Sequence, residues 1–247
     1  MSVARALALL LMLASAGCGS SSDHTATTAQ PPKRTSAPAA ATRSTVVVPA
    51  GIGHLAAMAG PRGLTLREHP GGKVIAHLRP QTDWGSPTVV WATERRGRWL
   101  GVIAAALHNN QVGWLNVRHD RPRMWRSQLS LHADLSARTL ELRRGSRVVR
   151  RIPIGIGSPN TPTPLGHFSV TDKLIPGREL SFYGCCLLAL SGHQSQLRPG
   201  WAGGDRIAIH GGSVGGAASA GCLHAADADL RRLMKVIPIG TPVYITA

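Results

Sequence analysis

The chain has 247 residues, enough for one or two domains once non-globular ends are set aside. Its formal net charge of +16 and pI near 11.4 point to anionic partners: nucleic acid, acidic polymers or anionic lipid headgroups. Eleven histidines are scattered and no Cys-x-x-Cys or His-Glu-x-x-His spacing occurs, which excludes the commonest metal sites and leaves no cofactor motif.

The first segments in chain order are not globular. Arg5 gives a positive start, Ala6 to Ala16 an apolar run too short to span a bilayer, and Ala16-Gly17-Cys18 a small-residue cleavage site. Residues 1–17 therefore read as an export signal. Ala-Gly-Cys followed by Gly-Ser-Ser-Ser resembles a bacterial lipobox, with Ser15 where Leu is commoner. That resemblance implies that Cys18 is lipidated, becomes the mature N-terminus and anchors the chain to the outer face of the cytoplasmic membrane; plain secretion is the alternative. Export removes nucleic acid from the partners. It leaves anionic cell-wall polymers and lipid headgroups, set against a basic surface that only aids solubility. Residues 18–53 are Ser, Thr, Ala and Pro with scattered charge, a composition that cannot bury a core and reads as a disordered linker. As a coil it spans roughly 30 Å, and extended about 100 Å.

Residues 54–120 form a separate block. Leu64-Thr65-Leu66-Arg67 opens it and Gly113-Trp114-Leu115 closes it. Val74 to Leu78, Thr88 to Thr93 and Trp99 to Ala104 are β-prone runs between Gly, Pro and charged turns. The block resembles a bacterial SH3-like β-barrel domain. Trp84, Trp91, Trp99 and Trp114 are either a ligand-stacking surface or, for at least two of them, barrel core. Arg118 to Arg126 reads as a basic connection.

Residues 127–247 carry the chemistry. Leu129 to His132, Thr139 to Arg143 and Val148 to Ile154 read as strands, with a hairpin at Gly145-Ser146. Ile207-Ala208-Ile209 reads as a strand delivering His210, and Gly211 to Gly216 as a loop returning toward Ser219-Ala220-Gly221-Cys222-Leu223-His224. Asp227 to Lys235 reads as a short helix with Asp227 as N-cap and an apolar face of Leu230, Leu233 and Met234; Thr241 to Ile245 is a closing strand. A thiol with pKa near ~8.5 is a poor nucleophile at neutral pH, so a reactive Cys needs a base or a positive field. His210 offers the base. The following helix, placed about one turn after Cys222, offers the field.

At these residues the chain resembles the L,D-transpeptidase (YkuD) catalytic domain, which remodels bacterial peptidoglycan. His210-Gly211, Ser219-Ala220-Gly221-Cys222-Leu223 and Pro162-Thr163-Pro164-Leu165-Gly166-His167-Phe168 carry the likeness, with Tyr183-Gly184 and Leu188-Ala189-Leu190-Ser191 between them. It departs from the family pattern at Ala220, often His, and at His224, usually Arg. The resemblance implies a mainly β fold, a β-sandwich with one short helix after the Cys. It also implies a two-step acyl transfer with no cofactor. Cys222 attacks the L,D-peptide carbonyl of a donor stem, terminal D-alanine leaves, and an acceptor amine resolves the thioester. His210 is then the proton donor and acceptor, oriented by the Gly211 carbonyl, and amides around Gly221 and Cys222 hold the oxyanion. His224 is the rival base. Ser219 either supports the site or shapes the turn. The alternatives are an L,D-carboxypeptidase, a cysteine endopeptidase, or a decayed wall-binding lipoprotein. Cys185 and Cys186 read as a disulfide, as two small core residues, or as partners that would silence Cys222.

Overall fold

The computed structural model describes residues 53–197, 200–201 and 204–247. The export signal, Cys18 and residues 18–52 of the linker lie outside the described residues. The described part is mainly β.

A first sheet contains β1 (His54–Met58), β2 (Leu64–Arg67), β3 (Val74–Leu78), β4 (Val89–Arg96), β5 (Trp99–Ile103), β6 (Gly113–Asn116) and β7 (Arg123–Ser127), in the order β3-β2-β6-β5-β4-β1-β7. A short helix, α1 (Val117–Asp120), stands before β7. The stretch read as a basic connection is thus structured, and β7 lies antiparallel against β1. Leu64, Leu66, Leu100, Val102 and Leu115 alternate along their strands with less buried neighbours and form this sheet's core. Trp91 and Trp114 are buried, and Trp84 is 46% exposed on the loop between β3 and β4.

A second sheet begins with β8 (Leu129–Asp134), β9 (Thr139–Arg144) and β10 (Arg147–Pro153), the last two closed by Gly145 at φ +58°, where a side chain would be strained. β11 (Ile156–Gly157) follows, then β12 (Gly166–Leu174), β13 (Leu187–His193), β14 (Arg206–Gly211), β15 (Ala217–Ser219), β16 (Leu223–Ala225), α2 (Asp227–Val236) and β17 (Pro242–Thr246). The eight-stranded order is β10-β9-β8-β17-β12-β13-β14-β16, while β11 and β15 pair with each other.

One strand joins the two halves of the eight-stranded sheet. Gly166 to Ser169 of β12 pairs with β17, and Val170 to Leu174 pairs with β13. Leu131, Leu140, Ile152, Phe168 and Val243 share one core with Leu188, Leu190, Ile207, Ile209 and Leu223, and Leu230 and Leu233 of α2 join it. The other face of this sheet carries His132, Ser169, Arg206, Ala208, His210 and Tyr244, which alternate with those core positions. The first sheet leans on part of that face. Tyr244 meets Trp91 at 5.4 Å between ring centres, His54 at 6.2 Å, His167 at 5.2 Å, and stacks on His132 at 4.5 Å.

Candidate functional site

The position of Cys222 follows from strand register. β14 and β16 run parallel, with Ile209 opposite Leu223, His210 opposite His224 and Gly211 opposite Ala225. Partners in a parallel pair point to the same side, and side chains alternate along each strand. Cys222, one residue before β16, therefore shares the side of His224, Ala208 and His210. It packs with Tyr183 and Leu174 against Leu187, Ala189 and Ala208, and it is a free cysteine.

His210 is held from several directions. It is only 6% exposed. Its Nδ1 lies 2.7 Å from the Gly211 carbonyl oxygen. A carbonyl can only accept, so Nδ1 carries the hydrogen and the lone pair of the neutral ring sits on Nε2. The edge of Tyr183 meets the ring at 4.8 Å between centres, and the His224 ring lies 4.6 Å away. Burial pushes the His210 pKa down to about 4, His224 pushes the same way, and the Gly211 carbonyl opposes them. Burial raises the Cys222 thiol, with the Ala208 amide acting against it. Both groups are thus neutral at rest near pH 7, a thiol and an imidazole on one face of the sheet.

The helix field expected behind Cys222 does not reach it. Strand β16 stands between the cysteine and α2, about 10 Å of extended chain, whereas the dipole's effect fades within one turn. Asp227 is also not the N-cap. Ala226 holds that position without a side-chain hydrogen bond. Asp227 Oδ1 instead accepts the Cys185 amide at 3.1 Å and lies against the Cα atoms of Gly184 and Gly211, where any Cβ would overlap it. The carboxylate thereby ties the segment after Tyr183 to the His210-Gly211 turn.

Ser219 shapes the turn that leads into Cys222. Its hydroxyl donates to the Cys222 carbonyl at 2.6 Å and accepts the Gly221 amide at 3.1 Å. Of the two amides expected to face an oxyanion, that of Gly221 is thereby committed. Gly221 has φ +111°, a value that suits glycine, and a Cβ there would overlap the Gln194 amide. His224 exchanges both backbone hydrogen bonds with Gly155 at 2.9 Å. Its pKa is lowered by burial, with the Ser213 backbone acting in the opposite direction.

Gln194 was not singled out from the sequence. It is 5% exposed, and its Nε2 donates to Pro162 O at 2.9 Å and to Ala220 O at 3.2 Å, while Oε1 accepts the Gln196 amide at 2.9 Å. Pro162 and Ala220 belong to the two motifs that sequence reading singled out, so one amide group clasps them together. Thr161 Oγ1 and the Ser158 amide both reach Ser219 O at 2.9 Å and complete this brace. No local pattern marks Gln194, because its partners are distant in the chain. Cys185 and Cys186 are joined by a disulfide, one of the arrangements left open above, and Cys222 stays outside it.

Residues 129–245 match the family model of the L,D-transpeptidase catalytic domain, YkuD. Over 117 residues the chain is 32% identical to a Bacillus licheniformis protein assigned as L,D-transpeptidase YkuD, a match covering 45% of this chain and 62% of that one. The Bacillus subtilis protein of the same name is 31% identical over 116 residues, with the same coverage. The chain thus spans 62% of the length of these relatives. Among solved structures, an L,D-transpeptidase from Mycobacterium smegmatis aligns over 78% of this chain and 82% of its own, at 18% identity and a TM-score of 0.39.

Proposed function

We propose that this protein, whose residues 129–245 match the L,D-transpeptidase catalytic domain model, belongs to that family and transfers acyl groups between peptidoglycan stem peptides with Cys222 as nucleophile and His210 as proton carrier. The observation that carries the proposal is the register of β14 on β16, which puts both side chains on one face, with His210 Nδ1 fixed on Gly211 O at 2.7 Å. The remaining ring nitrogen is then the base.

The chemistry is written from the neutral pair. As Cys222 Sγ attacks the carbonyl carbon of the donor's L,D-peptide bond, its proton passes to His210 Nε2. The tetrahedral oxyanion collapses, the C–N bond breaks, and the proton on Nε2 goes to the leaving amine of terminal D-alanine. An acceptor amine then attacks the thioester and gives its proton to Nε2, which returns it to the departing sulfur. A starting pair without charge costs far less to bury than an ion pair. The ion pair forms only with the attack, when substrate has displaced water and the interaction is strongest.

The basic chain suits an anionic wall. With Cys18 lipidated, the linker would hold the domain within reach of it, on the outer face of the cytoplasmic membrane. Incubation of reduced protein with a carbapenem, followed by intact mass measurement, tests the nucleophile. The expected result is one covalent adduct on the wild type and none on Cys222→Ala. An unmodified wild-type protein would favour a wall-binding role without catalysis. Product analysis on a purified muropeptide separates cross-linking from trimming by water.

A further inference from the structure

The sheet face that carries Cys222 and His210 continues, four residues back along β14 from His210, to Arg206 and there becomes one wall of a cavity of about 320 Å³. The opposite wall belongs to the first sheet. Val90, Ile103 and Ala104 give it an apolar floor. Trp84 stands at its edge, 46% exposed, with the Arg206 guanidinium 5.3 Å from the centre of its ring. The loop that bears Trp84 is pinned. Thr82 Oγ1 donates to Asp172 Oδ1 at 2.5 Å, Thr82 N to Ser86 O at 2.8 Å and Gly85 N to Thr82 O at 3.1 Å.

The wall from the second sheet holds an unanswered polar group. Ser169 lines the cavity and is 1% exposed, and its Oγ has no hydrogen-bond partner. Its neighbours Phe168 and Val170 point into the core, so the hydroxyl points the other way, toward the cavity. A buried hydroxyl without a partner forgoes its hydrogen bond, which a ligand oxygen or N–H would supply.

We propose that this cavity is a subsite for an N-acetylhexosamine ring. A sugar offers a C–H face to an aromatic side chain, and the face of the Trp84 ring that Arg206 does not cover offers that surface on a fixed loop. Its N-acetyl methyl suits the apolar floor, and its hydroxyls and amide suit Ser169 Oγ. The size agrees as well, since ligand pockets begin near about 300 Å³. The sugar would be the glycan of the donor or acceptor stem, and to that extent the inference rests on the function proposed above. Binding itself needs neither Cys222 nor His210.

The test is titration of the full chain with chitotetraose, a neutral N-acetylglucosamine oligomer, followed through the Trp84 indole N–H by NMR. That resonance is assigned as the one lost in Trp84→Phe. Wild type and Cys222→Ala should both show a saturable shift at millimolar sugar. Trp84→Ala, which lacks the reporter indole and is followed through backbone amide shifts instead, should weaken binding about tenfold or more, as expected when a stacking partner and its buried area are lost. Ser169→Ala should weaken it severalfold without lowering the melting temperature, because the hydroxyl satisfies nothing in the empty protein. No saturable shift in a folded wild type, or affinity unchanged in both variants, overturns the subsite. Muropeptide cross-linking by that same protein would leave the acyl-transfer reading intact. Sugar binding by a protein that is not acylated would do the reverse.

Discussion

At the scale of single residues, the site is defined by what restrains its groups more than by what they are. His210 and His224 are register partners with rings 4.6 Å apart, yet only His210 combines the Gly211 clasp with the Tyr183 edge. His210→Ala should lower the rate of carbapenem acylation by about 10²–10⁴, the usual worth of a general base. His224→Ala should lower it by less than about tenfold, and the reverse order would move the base to His224. Because burial raises the Cys222 pKa, alkylation by iodoacetamide should climb with pH past the range of an ordinary thiol. A midpoint below neutrality would mean a preformed thiolate instead. Gln194 makes a different kind of prediction. Gln194→Ala leaves the Pro162 and Ala220 carbonyls without their shared donor and frees the loop before Cys222. The acylation rate should fall at least tenfold, with a stability loss of about 1–3 kcal/mol in denaturant unfolding. Full activity would show that the turn is held by Ser219 alone. Cys222, His210 and Gly211 were legible because their chemistry is packed into one short stretch with glycine around it. Gln194 and Asp227 were not, since each acts on backbone groups far away in sequence, and that leaves no spacing to read.

At the scale of elements, legibility tracked periodicity. The hairpin of β9 and β10 has alternating burial and a glycine turn, and its expected strands agree with those observed to within a residue or two. The strand expected to run to Ile154 stops at Pro153, and a separate short strand, β11, starts at Ile156. β12 and β13 bury both faces, so their sequences show runs in place of alternation, and only their motif residues were picked out. β16 is three residues long, held by Gly155 on one side and β14 on the other. Its existence removed the dipole argument, which had placed the helix against the cysteine. The strand on which most depends is β12, since it alone joins the half-sheet of β8, β9, β10 and β17 to the half that carries the site. Phe168, 1% exposed, fills the core at that junction. Phe168→Ala should cost about 3–5 kcal/mol in chemical denaturation, close to the cost of the largest core truncations. A loss below about 1 kcal/mol would mean that the two halves hold together without that contact.

At the scale of the whole molecule, the histidines make folding sensitive to acid. His210 is buried at the site. His132, His54 and His167 surround Tyr244 where the first sheet meets the second. The pKa values of His210 and His132 fall to about 4, burial being the largest cause in each; Arg143 lowers His132 further and Glu141 opposes it. His54 and His167 are lowered too, by burial. In the unfolded chain each returns to about 6.5. Between those two values the unfolded state binds more protons than the folded one, so stability must fall as pH falls through this window. It is fully present above the unfolded value. For His210 alone the difference amounts to about 3 kcal/mol at its upper limit. For His132, which is partly exposed, solvent screening makes the contribution smaller. The melting temperature should therefore drop by roughly 10 °C between pH 7.5 and pH 4.5. Net positive charge grows over the same range and also destabilises, so the wild-type slope alone does not assign the effect. The variants His210→Gln and His132→Gln separate the two causes, because a glutamine leaves the general repulsion in place and removes one titration. Each should flatten the pH dependence, His210→Gln by the larger amount, since it replaces the more deeply buried ring. A pH slope identical in wild type and both variants would place the acid sensitivity in overall charge and not in these rings.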